Sequence, residues 1–89
     1  MLEKRGQKPY IPAMFSAKQI KEMMNTQPFR PFRLHMSDGS TYEIPNHDTA
    51  MVAQNSVEVG VNPDPDGVVE RFVRCAIIHI TRIEELQAA

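Results

Sequence analysis

From Phe32 onward the chain alternates apolar and polar positions with a period of two. Phe32, Leu34 and Met36 fall on one face and Arg33, His35 and Ser37 on the other, which predicts a half-buried strand. Asp38-Gly39 follows as a two-residue hairpin turn, since glycine accepts the left-handed backbone that such turns need. The return strand runs through Thr41, Tyr42, Glu43 and Ile44 and stops at Pro45, which has no N–H to donate to a central ladder. The same alternation at Val57, Val59 and Val61 predicts a strand over 56–61, entered through a turn at Gln54-Asn55 from a short strand at 50–53.

Before the hairpin the period changes. Ser16 is a good helix N-cap and Gln19 completes a capping box, so a helix of about ten residues is expected, with Ile20, Met23 and Met24 as its apolar stripe. Asn25 and Thr26 stop it before Pro28. Residues 1–15 contain Gly6, Pro9 and Pro12 and no regular period, which reads as a flexible N-terminal tail ahead of a single small domain over 16–89. Met14, at the edge of that domain, is a possible alternative translation start.

Beyond the acidic loop Asn62–Gly67, the segments 68–75 and 77–83 predict two further strands or one long bent one, and Glu84–Ala89 a fraying helical turn. On alternation, Ile78 and Ile80 share one face of the last strand and Ile77 and Ile83 the other, so both faces need cover. The fold expected is α+β and mostly β: a short N-terminal helix, then a small, strongly bent antiparallel sheet or barrel of five to six strands, with the order of elements of Sm-like small barrels.

Composition narrows the setting. Eighty-nine residues suffice for one core, and 42% apolar with 24% charged residues is ordinary globular usage. A lone cysteine, Cys75, forms no internal disulfide and suits a reducing compartment. No apolar run approaches the roughly 18 residues of a membrane span, and Met1–Arg5 lacks a secretory apolar segment, so a cytoplasmic protein without membrane contact is expected. The net charge of −1 conceals a strong polarity: residues 1–33 balance at +5, residues 34–70 at −7 and residues 71–89 at +1. Such segments either neutralise each other across strands or create one basic and one acidic surface suited to self-association.

Candidate chemistry is sparse. Pro28-Phe29-Arg30-Pro31-Phe32-Arg33 is a tandem tripeptide that, in a polyproline II stretch, puts both rings on one edge and both arginines on another. The rings either anchor the segment to the core or, with Lys18 and Lys21, form a basic and aromatic surface for single-stranded nucleic acid. His35, His47 and His79 lack the close pairing of metal ligands, and Cys75 with Arg74 and His79 makes a poor nucleophile motif, so no catalytic residue and no cofactor is expected.

Gln27–Phe32, Asp38-Gly39, His47 and the closing run from Ile77 to Ile83, ending in Arg82-Ile83-Glu84, together resemble a widespread family of short bacterial proteins of unknown function. The resemblance covers roughly residues 16–86. It differs at Asn46 and Asp48, where similar sequences show His-Pro-Glu around this turn, and in a longer Asn62–Gly67 loop. It implies the fold, and no site residues. The leading functional expectation is a non-enzymatic interaction module that associates with itself, or with another protein, through Ile77, His79 and Ile83. The alternative is a weak nucleic-acid binder using Lys18, Lys21, Phe29, Arg30, Phe32 and Arg33.

Overall fold

The computed structural model describes residues 15–86. The proposed tail, the Met14 start and the last three residues of the expected terminal turn lie outside them. Helix α1 (Ala17–Asn25) begins as its sequence dictates: Ser16 Oγ accepts from the Gln19 N–H at 3.1 Å, and Gln19 Oε1 accepts from the Ser16 N–H at 2.8 Å. At the far end Thr26 Oγ1 donates to the Glu22 carbonyl. Nine residues form too short a helix to persist alone. Burial of Ile20 and Met24 against the sheets holds it.

Six strands follow: β1 (Phe32–Met36), β2 (Thr41–Ile44), β3 (Ala50–Val52), β4 (Ser56–Val61), β5 (Arg71–Ala76) and β6 (Ile80–Glu85). They form two antiparallel three-stranded sheets, ordered β2-β1-β6 and β3-β4-β5. Phe32, Leu34 and Ile44 from the first sheet meet Ala50, Val57, Val59 and Cys75 from the second, and Ile77 and Ile80 close the core where the chain crosses between them.

Three expectations need correction. The first hairpin has a three-residue loop rather than a two-residue one: the Met36 N–H donates to the Ser40 carbonyl at 2.9 Å and the Gly39 N–H to the Met36 carbonyl at 3.0 Å, with Gly39 at φ +90°. This is a turn closed by a glycine bulge, the next most common hairpin connection. Asp38 stabilises it by accepting from the N–H (2.9 Å) and the hydroxyl (2.6 Å) of Ser40.

The closing strand is not one element. Ile77–His79 form a single 3-10 turn, and the chain leaves one sheet as β5 and enters the other as β6. A 3-10 turn rotates side chains by a third of a circle per residue rather than a half, so the facing inferred from strand alternation fails there. Ile77 and Ile80 are both buried, and Ile78 is 75% exposed.

The strands also do not close. A barrel needs continuous pairing around its circumference, and here the sheets share no ladder: the β1–β2 hairpin stands off from β5, leaving a hollow of about 360 Å³ between them.

Candidate interaction surfaces

The outer face of the first sheet carries the polar half of the β1 alternation. Cross-strand pairing sets Arg33 between Glu43 of β2 and Glu84 of β6, and His35 between Thr41 and Arg82. The Arg33 guanidinium takes both carboxylates, with Nη2 at 2.6 Å from Glu43 Oε2 and Nη1 at 3.2 Å from Glu84 Oε1, and this holds it above the usual arginine range, the Glu43 hydrogen bond first among the causes. His35 Nε2 lies 2.9 Å from Glu84 Oε1 and 3.1 Å from Arg82 Nη2; protonated, that nitrogen donates to Glu84, and unprotonated it accepts from Arg82. The hydrogen bond from His35, helped by Arg33 and Arg82, draws Glu84 below the ordinary carboxylate range. Basic and acidic segments of the sequence thus cancel across strands on this face.

The basic and aromatic edge is accordingly dismantled. Phe32 has no exposed surface, so it is corrected from a contact residue to a core residue: it starts β1 on the inward face. Phe29 is half-buried, 6.0 Å from the Phe32 ring and 6.4 Å from His47. Arg30 is exposed, 4.0 Å from Glu85. Lys18 and Lys21 are exposed on α1 and border a shallow hollow with Val52 at the end of β3 and with Ala53 and Gln54 just beyond it.

The residues expected at a self-contact also redistribute. Ile77 is in the core, and Ile83 is half-buried, paired with Leu34 on the inward side. His79 is exposed, its Nδ1 3.4 Å from Ser37 Oγ, while its carbonyl accepts from the Ser37 N–H at 2.8 Å. This contact ties the hairpin tip to the 3-10 turn.

Large apolar side chains are exposed elsewhere. Phe72 (53%) stands on the outer face of β5, opposite Gly60, whose own outer surface is covered by Val69; Met51 (65%) lies on β3 of the same sheet. The sequence held a signal for this: Phe72 shares its parity with Arg74, placing a large ring on the polar face of its strand. The free side of β5 can be read from its ladder. Ile77 N–H donates to the Asn55 carbonyl at 2.9 Å, and antiparallel bonding alternates, so Val73 and Cys75 bond to β4 while Phe72, Arg74 and Ala76 turn their N–H and C=O groups away from it. Among the described residues, β5 pairs with no other strand.

Beside this edge lies the hollow left by incomplete closure, walled by Ser37, Asp38 and Tyr42 on one side and Arg74, Cys75 and His79 on the other. Its chemistry is quiet. Arg74 is engaged by Glu58 at 2.6 Å, and the Ser40 hydrogen bonds keep Asp38 below its usual range, hence charged. Burial pushes the Cys75 thiol up to about 11, with Glu58 and Asp38 adding to the effect, so at neutral pH it is a protonated thiol rather than a nucleophile. Among the described residues no three His, Cys, Asp or Glu side chains gather into a group able to hold a metal, and no helix is long and apolar enough to cross a membrane.

Compared with protein-family models, with curated proteins and with solved structures, the chain matches none of them.

Proposed function

We propose that this chain is a non-enzymatic interaction module that associates with copies of itself. The observation that carries the reading is Phe72, a half-exposed ring on a strand whose free edge meets no other strand among the described residues. An uncovered edge of unpaired N–H and C=O groups is a template for another strand, and small β proteins ordinarily blunt it. Here the edge carries a large exposed aromatic side chain between Arg71 and Arg74. The protonated Cys75 thiol, and an Arg74 already held by Glu58, favour binding over catalysis.

The test is the native mass of the protein recovered from its own cells, with and without nuclease, over a series of salt concentrations. An oligomer insensitive to nuclease and to moderate salt is expected, because strand pairing and apolar contact are weakly screened. A lone monomer at all concentrations refutes the reading. Co-purifying nucleic acid, lost on nuclease treatment and weakened steeply by salt, would replace it with a phosphate-contacting surface.

A further inference from the structure

We propose, resting on the self-association reading above, that two copies join through their β5 edges in an antiparallel pair centred on Val73, fusing two three-stranded sheets into one of six strands. The register follows from three constraints. Paired residues in an antiparallel ladder share a face, so a two-fold pairing of β5 with itself must centre on a residue. A centre on Arg74 sets two guanidinium groups against each other, which is destabilising for directly opposed like charges. A centre on Phe72 leaves Arg74, Cys75 and Ala76 of the strand unmatched by any β5 residue.

A centre on Val73 pairs residues 71 to 75 with their counterparts, and both faces of the chain complement themselves. On the outer face Phe72 sits directly opposite Arg74 of the second copy, twice over. Arg74 holds Glu58 of β4 through Nε and its side chain is otherwise exposed, so the outer end of the guanidinium can meet the facing ring, a cation–π pair in which each copy supplies both halves. On the inner face Arg71 falls opposite Cys75 of the second copy, at the wall of the hollow that also holds Asp38. Arg71 is exposed, and among the described residues no carboxylate lies within 4.0 Å of it. The hollow would receive this cation beside the ionised Asp38. The N–H and C=O groups of Phe72 and Arg74, turned away from β4, supply the new ladder. Val73, whose own bonds go to β4, faces its symmetry mate across a non-hydrogen-bonded pair, where the Cα atoms approach to about 4.5 Å.

The pairing predicts a cross-link and two losses. In a Cys75→Ala background, Val73→Cys should form a disulfide-linked dimer under mild oxidation, since that spacing falls within disulfide reach, whereas Cys75 of the parent chain, set opposite Arg71, should not. Phe72→Pro removes an N–H that β4 does not use and should convert the dimer to monomer in sedimentation equilibrium with the circular dichroism of the fold retained. Arg71→Glu, an exposed change that leaves the fold alone, should weaken dimerisation at least tenfold by setting a carboxylate against Asp38. A dimer that survives Phe72→Pro and Arg71→Glu and does not cross-link at position 73 overturns this interface while leaving self-association standing. A parent chain that is monomeric at every concentration overturns both.

Discussion

Gly60 offers a measurement of how tightly the second sheet is covered. It lies in β4 opposite Phe72, and a Cβ built on it would stand 2.5 Å from Val69 Cγ1, 3.0 Å from Val69 Cβ and 3.1 Å from Val69 Cγ2. Val69 is β-branched and short, so it cannot swing its end away as a long side chain would; the backbone of the 68–70 segment has to move. Overpacking of this kind costs roughly 1–3 kcal/mol. Against it, alanine restricts the unfolded chain more than glycine does, a gain of about 0.4–1 kcal/mol where the native backbone suits both. The steric cost wins, and Gly60→Ala should lower stability by about 1–2 kcal/mol, or the melting temperature by roughly 5–15 °C for a domain of this size. Val69→Ala removes two of the three clashing atoms. The double variant should therefore be less destabilised than the sum of the singles by about 1 kcal/mol, within the range that neighbouring residues show. Urea unfolding of the four proteins at constant m-value measures this cycle. A neutral or stabilised Gly60→Ala, or strict additivity with Val69→Ala, would refute the assigned contact.

Phe32→Ala should destabilise the domain by about 3–5 kcal/mol, as for a fully buried ring, and Phe29→Ala by much less, read from the same urea curves; equal effects would count against the inward placement of Phe32. The folded-state acidity of Glu84 is raised by His35, so its contribution is present above the unfolded carboxylate pKa and is lost as pH falls through the lower folded value. Glu84→Gln should accordingly flatten the acid limb of the stability profile, with little change in its slope above neutrality. Cys75 should react with a thiol reagent at pH 8 only as fast as the fold opens and promptly in denaturant, whereas rapid native labelling would contradict its burial and raised pKa.

Much of the fold was legible from residues close together in sequence. The capping box spans Ser16 to Gln19, and strand parity set Phe32, Leu34, Val57 and Val59 inward, because a hydrogen bond three residues long and a period of two need no knowledge of the rest of the chain. Even the hairpin loop was wrong only in its length: glycine marks the left-handed position, but the pairing of Met36 with Ser40 decides how many residues the loop holds. The candidate surfaces were less legible. Arg33 read as a free cation because its acidic partners lie 10 and 51 residues away, and Phe32 read as half of a repeated motif although it opens a strand that Phe29 precedes.

The amino-acid sequence by itself determined the helix start, the first hairpin, the alternation of β1 and β4 and the acidic loop, all set by steric and hydrogen-bonding preferences that act over a few residues. Only the tertiary structure decided that β5 and β6 belong to different sheets, that Ile77 turns inward while Ile78 turns out, and that Phe72 stands exposed on a strand that ends its sheet among the described residues. Those outcomes depend on which strands become neighbours. That choice is made by burial summed over the whole chain, which no local pattern of residues contains.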